Sequence, residues 1–439
     1  MQKRSEYEKT LNFSRECRFI RFFLDSGVNF WYNRSIHIWP APRRFARMRA
    51  GTAMQRIFLS VCWKPLSAGF RRYFSGRLEH FKRKGLNNLE IKVSIVIPAY
   101  NGGELLIRTL DSLCRQTFRD FEMIVVDDGS TDDTALRLAQ YAEREPRLRC
   151  FTVPNGGPSR ARNFGIEQAK GKYLYLCDAD DIPEPGILEK LAAELDRGYT
   201  LAACGYFLER EEDGVHRSST PFTAGQLSCE DHASFLEALP TLMEGQLMYV
   251  NWNKMYRMEI IRREGITFPE QYASCEDRLF NLAYFSHVER FSMLGEALFH
   301  YYIRGTGNLT YKFLPTRYES LCRFDTALNA LYEAGGRLTG AVRETNARIF
   351  IKGAVACLIS LHHPSCTLRR EEKRLFLREL LESATLKNAL QNLSGGIQFR
   401  VIGLLLRTGS PALASLIGWA GNFAGRRLPG LLQKLKGRG

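Results

Sequence analysis

What this chain lacks narrows its function first. Eleven cysteines are scattered from Cys17 to Cys366 along 439 residues, and no two form a CxxC pair. That spacing offers neither a zinc ribbon nor a dithiol redox motif, and a scattered, odd set of thiols reads as reduced and cytosolic. The eight histidines never fall in a metal-ligand spacing, and the adjacent His362 and His363 read as a surface loop. No apolar run makes a convincing membrane span. Thr408–Gly425 is uncharged but contains Pro411, four glycines and Asn422, which makes it short for a bilayer and poor material for a helix. The opening MQKRSEYEKT has no compact apolar core or cleavage site, so a secretory leader is not expected. No internal repeat is visible.

The charge that is present is unevenly placed. The net charge is +15. Residues 1–92 hold 20 Lys and Arg against 6 Asp and Glu, residues 395–439 hold 7 basic residues and no acid, and the span between them holds 35 basic against 41 acidic residues. An acidic middle between two basic ends suggests ends that meet phosphate-rich surfaces, either anionic lipid or nucleic acid. The first segment interleaves arginines with aromatics such as Phe22, Trp31, Trp39 and Trp63, and Pro40, Pro42 and Pro65 interrupt any period. It reads as a basic, aromatic-rich extension over 1–90, with no fold of its own expected in part of it.

At Ile91 the pattern changes. IKVSIVIPAY and FEMIVVDDGS are short β-branched runs, each bounded by a polar turn, as buried parallel strands require. Helical spacing follows each of them, over Glu104–Gln116 and Thr134–Glu145; a third strand is expected at Cys150–Val153, a helix over Ser159–Ala169 and a strand at Lys172–Cys177. Strands alternating with helices of this length define βαβ units in a doubly wound α/β sheet. Beyond residue 315 the spacing turns helical. Leu321, Phe324, Leu328 and Leu331 mark a helix that stops at Gly335-Gly336, and helical texture continues through Glu371–Gln391. The expected organisation is an α/β domain over 91–312, a helical region over 313–394 and a basic amphipathic segment over 395–439.

Open parallel sheets bind ligands beyond the carboxyl ends of their strands. Three such ends are polar here: Pro98-Ala99-Tyr100-Asn101, Asp127-Asp128-Gly129-Ser130 and Asp178-Ala179-Asp180-Asp181. Like charges ~4 Å apart repel by roughly 4 kcal/mol at intermediate dielectric, so these acid clusters call for a cation. Two acids one residue apart at a strand end suit Mg²⁺ or Mn²⁺, which one or two carboxylates commonly hold together with substrate phosphates.

The run VSIVIPAYNGGELLIRTLDSLCRQTFRDFEMIVVDDGSTDDT, continued by NGGPSRARNFGIEQAKGKYLYLCDADD, closely resembles the nucleotide-sugar half of family 2 glycosyltransferases, which are inverting enzymes of GT-A fold. The likeness resumes at WNKMYR and FPEQYASCEDRLF. It implies a Rossmann-like, mostly parallel sheet with helices on both faces, followed by a helical C-terminal region. It also implies that Pro98, Ala99, Tyr100, Asn101 and Asp128 line the pocket for the nucleotide base, with Asp128 accepting from a ring N–H. Asp178 then faces the donor ribose, Asp180 and Asp178 hold the metal, Arg162 lies near the diphosphate, and Asp277 is the catalytic base with Glu276 beside it. The second acid is expected to point into the cleft, with Leu279, Leu282 and Ala283 facing inward. Family members commonly carry glycine where this chain has Cys275, and the family's Arg-x-x-Ser continuation after His300–Arg304 is here Gly-Thr-Gly-Asn-Leu-Thr. Trp252 reads as a core residue in preference to a sugar-stacking one, with Lys254 near the acceptor cleft.

The partners implied are a nucleotide-sugar donor, a glycan or lipid-linked acceptor in envelope or extracellular polysaccharide synthesis, and an anionic membrane surface at the cytosolic face, with no nucleic acid. Two alternatives remain at this point. A metal-dependent nucleotidyltransferase would want an Arg-bearing glycine-rich loop after the first strand, and PAYNGGELL has no nearby basic cradle. A nucleic-acid binder would use the basic, aromatic N-terminus.

Overall fold

The structure is a computed structural model that describes residues 91–212, 214–304 and 312–427. The extension expected over 1–90, the Gly-Thr-Gly-Asn-Leu-Thr continuation and residues 428–439 lie outside the described residues.

The two β-branched runs form β1 (Val93–Ala99) and β2 (Phe121–Asp127), paired in parallel from Val93↔Phe121 to Ala99↔Asp127. All seven residues of β2 are buried, which explains the unbroken apolar run Met123–Val126 where an alternating one would mark a half-exposed strand. Between them α1 (Gly103–Cys114) buries Leu106, Leu110 and Leu113. Next come α2 (Thr134–Arg144), β3 (Leu148–Thr152), α3 (Pro158–Gln168) and β4 (Tyr173–Leu176), all close to the expected positions. β3 joins β2, whereas β4 crosses back to the other side of β1. The winding therefore reverses between β1 and β4, and the crevice at their carboxyl ends is where such sheets bind ligands. Over β1, α3 sits very close. A Cβ on Gly165 would stand 2.4 Å from a Val96 methyl.

The second half of the sheet is mixed, and little of it was expected from the sequence pattern. It contains β5 (Ile182–Pro183), α4 (Ile187–Asp196), β6 (Leu201–Glu212), β7 (Val215–Phe222), β8 (Leu227–Cys229), α5 (His232–Glu244), β9 (Lys254–Arg257), α6 (Met258–Arg263), α7 (Glu276–Phe285) and β10 (Phe291–Arg304). The strand order is β3-β2-β1-β4-β9-β6-β10-β5, with β7 on β6 and β8 on β10. β9 runs antiparallel between β4 and β6, whereas β10 is parallel to β6.

Helices α8 (Arg317–Ala334), α9 (Gly340–Ser360), α10 (Arg370–Glu382), α11 (Ala384–Asn392), α12 (Ile397–Arg407) and α13 (Pro411–Arg427) complete the described chain. All six contribute to a second core around Phe350, Val355, Leu358, Leu380, Ile402 and Ile417. Leu321 of α8 belongs to this core, while Phe324 and Leu328 of the same helix belong to the core under the sheet. One sequence expectation fails here. The glycine-rich stretch expected to make a poor helix forms α13, because Gly418 lets it approach α9 so closely that a Cβ there would lie 2.3 Å from the Leu358 carbonyl oxygen. Tertiary contact overrides intrinsic propensity.

Candidate active site

The turn after β1 and the turn after β2 are tied to each other. Asn101, held at φ +50°, receives an N–H bond from Thr131 on its side-chain oxygen at 2.8 Å, and its own N–H donates to the Ser130 hydroxyl at 2.9 Å. Pro98 is half-buried, Ala99 is buried, and Tyr100 stands out from the turn with half its surface exposed. Asp128 is buried, and its two carboxylate oxygens accept from the Gly156 and Gly157 amides, both at 2.8 Å. These amides lead directly into α3, whose first residue, Pro158, has no N–H to offer.

One turn into α3, Arg162 is buried at the centre of an acidic ring. Its Nη2 donates to Asp178 Oδ1 at 2.8 Å, and its Nη1 lies 3.4 Å from Asp277 Oδ1 and 3.7 Å from Glu276 Oε1. The Phe268 ring lies 5.3 Å beneath the guanidinium. Burial opposes the charge on Arg162, but Asp277, Asp178 and Glu276 together hold its proton more firmly than in water. A single cation thus joins the strand end of β4 to the first turn of α7. Both acids of the Glu276-Asp277 pair face this cation. Ala283, expected inward, is exposed; Phe280, Asn281, Tyr284 and Phe285 fill the inner face of α7.

Asp277 is raised above the ordinary carboxylate range. Burial is the main cause; Glu276 and Asp178 add to it, while Arg162 and Lys254 oppose it. Its Oδ1 accepts from Asn251 Nδ2 at 2.8 Å. Asn251 follows a stretch, Leu247–Val250, whose carbonyls are all engaged. The fully buried Lys254 ammonium, lowered to about 7 by burial, donates to the carbonyls of Leu247 and Val250 and to the Asn253 side chain, each at 2.7 Å. The Asn281 amide meets the carbonyls of Met248, Tyr249 and Val250 at 3.0–3.2 Å, and its oxygen accepts from Tyr256 at 2.7 Å. Trp252 is buried and stacked on Phe299 at 4.4 Å, in the core as expected. Cys275, in the position where glycine was expected, has φ +62° immediately before α7. That is the left-handed region, adopted here by a residue with a Cβ.

Asp180 meets Arg304, the last residue of β10, at 3.2 Å. Partial burial and the neighbouring Asp178 raise its carboxyl, and Arg304 works against them. The buried Asp181 accepts from the Tyr302 amide at 2.9 Å, leaving its second oxygen without a hydrogen-bond partner. Asp178 and Asp180, two acids one residue apart just beyond β4, fit a divalent cation. Among the described residues no trio of His, Cys, Asp or Glu forms a complete cation shell, so donor phosphates would have to supply the remaining ligands. Asn251 and the role of Arg304 were not found by sequence reasoning. The signal for Asn251 was its place beside Trp252 in the WNKMYR run.

The family model described as Glycosyl transferase family 2 matches residues 94–265. Over 253 residues the chain is 31% identical to the uncharacterized glycosyltransferase EpsJ of Bacillus subtilis, an alignment covering 57% of this chain and 72% of EpsJ. It is 30% identical over 293 residues to the putative glycosyltransferase EpsH of the same organism, covering 66% and 80%. A crystal structure of Staphylococcus aureus TarS 1–349 in complex with UDP-GlcNAc matches with a TM-score of 0.56 at 20% identity, over 75% of this chain and 91% of that one, a likeness of fold. The GT-A-like sheet with its switch-point crevice, the family match and the relatives together show that this chain belongs to glycosyltransferase family 2.

Proposed function

We propose that the enzyme transfers a sugar, with inversion, from a nucleotide-sugar donor of the UDP class to a glycan or lipid-linked acceptor in envelope or extracellular polysaccharide synthesis. The observation that carries this reading is the contact of Arg162 with Asp178 on the donor side and with Asp277 and Glu276 on the other, all within 3.7 Å. A UDP-type donor is supported by the TarS complex with UDP-GlcNAc. A hydroxyl-bearing polymer as acceptor is supported by TarS itself, a poly(ribitol-phosphate) beta-N-acetylglucosaminyltransferase.

In this reading the turns carrying Pro98–Asn101 and Asp128 receive the nucleotide. Asp277 takes the proton of the acceptor hydroxyl, whose oxygen bonds to the anomeric carbon from the side opposite the diphosphate. The carbon–oxygen bond to the diphosphate breaks, its electron pair leaves with the nucleoside diphosphate, and configuration inverts. A carboxyl raised toward neutrality by burial is a stronger base than one in water, and general-base catalysis typically contributes 10²–10⁴-fold. Asp180 and Asp178 would hold Mg²⁺ or Mn²⁺, which neutralises charge on the departing diphosphate. Arg162 places positive charge near the diphosphate and fixes the spacing between donor acid and base. No helix among the described residues is long and apolar enough to cross a membrane, and we read the enzyme as peripheral at the cytosolic face.

Calorimetric titration of UDP in Mn²⁺ tests the donor side. Asp180→Asn is expected to weaken UDP binding about tenfold or more and abolish metal-dependent hydrolysis of UDP-sugars, while Asp133→Asn, at the start of α2, changes neither. Equal UDP affinity in Mn²⁺ for the wild type and Asp180→Asn overturns the assignment.

A further inference from the structure

Helix α13 carries its residues the wrong way round for a helix that only covers a core. Its inner face is built from Ala414, Ile417, Gly418 and Ala420, all buried, and Gly418 lies against the α9 backbone. The larger apolar side chains are outside. Leu416, Trp419 and Phe423 are 50%, 51% and 46% exposed at a helical spacing, and Trp419 stacks on Phe423 at 5.5 Å. On α12 a second exposed stripe alternates apolar and basic residues: Ile397, Arg400, Leu404 and Arg407. Single exposed apolar residues are ordinary, but a contiguous row marks an interaction surface.

We propose that these two stripes form an interfacial anchor that lies on an anionic phospholipid surface. Charge selects this occupant. Arg400 and Arg407 stand on the α12 stripe and no acid occurs in α12 or α13, so a second copy would bring like charge onto like charge, whereas anionic headgroups neutralise it. Aromatic and aliphatic side chains settle at the boundary between headgroups and acyl chains, and basic residues add attraction from the polar side. This deepens the peripheral location proposed above and is independent of the donor and base assignments.

The test uses the full chain and sucrose-loaded vesicles, either pure phosphatidylcholine or containing phosphatidylglycerol. The wild type is expected to sediment with the anionic vesicles at least tenfold more strongly than with the neutral ones, with the difference shrinking as salt rises. Leu416→Ser/Trp419→Ser/Phe423→Ser should reduce that binding by about tenfold or more, and Trp419→Ser alone by a few-fold, both with unchanged UDP affinity. A wild type that ignores anionic vesicles overturns the peripheral location. A triple variant that binds like the wild type leaves the location standing and overturns the anchor, assigning it to another basic segment. A wild-type dimer that the triple variant converts to monomers in light scattering overturns the anchor in favour of self-association.

Discussion

On the parallel half of the sheet, Asp128 is held by the backbone amides of Gly156 and Gly157, just before α3, and Asn101 is latched to the turn one strand away. On the mixed half, Asp277 is held by side chains: Asn251 from a loop, Arg162 from α3, and behind the loop Lys254 and Asn281. Amide contacts do not depend on side-chain identity, although the two here come from glycines, Gly157 at φ +89°. A side-chain network has no such redundancy, and removing one member leaves the others buried and unpaired. Truncating a side chain around Asp277 should therefore cost more than truncating one around Asp128.

The largest effect tests the link between the halves. Arg162→Met leaves Asp178, Glu276 and Asp277 facing one another without their shared cation, and breaking a buried ion pair costs roughly 3–5 kcal/mol. Urea unfolding is expected to show a loss of about 3 kcal/mol; a loss below about 1 kcal/mol means that the ring holds no such tension. Next is Asp277→Asn, expected to lower kcat by roughly 10² or more with donor affinity changed by no more than a few-fold. If it retains near-normal transfer and Glu276→Gln loses it, the base is Glu276.

The pH profile separates these two acids further. The groups facing Asp277 are Arg162, Glu276, Asp178, Lys254 and Asn251. Because a base must be ionised and this one is raised, kcat should climb with pH through a limb above the ordinary carboxylate range. Glu276→Gln removes a neighbouring negative charge and should move that limb to lower pH. Asn251→Ala removes a hydrogen bond that favours the charged form; it should move the limb to higher pH and lower kcat about tenfold, with donor affinity intact. A limb unmoved in both variants means that Asp277 does not set it.

The smallest expected effect concerns Cys275. A left-handed backbone costs a residue with a Cβ about 1–2 kcal/mol, partly offset by the greater unfolded freedom of glycine. Cys275→Gly should stabilise by about 0.5 kcal/mol in urea unfolding and leave kcat unchanged, whereas Cys275→Val should destabilise. A destabilised glycine variant would mean that the thiol makes a contact worth more than the strain.

The same contrast explains what could be read from the sequence. β1 and β2 were legible because a strand buried on both faces is mostly apolar, and Asp128 and Asp178 because they stand just beyond the ends of β2 and β4. α8 was legible from its spacing and its glycine stop. The mixed half was not, because its strands acquire partners only in the assembled sheet. Asn251 reaches Asp277 across 26 positions and Arg304 reaches Asp180 across 124, separations on which local periodicity is silent. Ala283 misled because α7 turns aromatic residues inward where an aliphatic spacing was assumed.

Gly165 has a mechanical consequence. With a Val96 methyl 2.4 Å from where its Cβ would be, α3 rests on β1 with no spacer, and Arg162 rides on the same helix one turn earlier. The height of the catalytic cleft's central cation above the sheet is therefore gauged by a missing methyl group. Adding that methyl would act as a shim, tilting the arginine away from three acids on two other elements that have no reason to follow it.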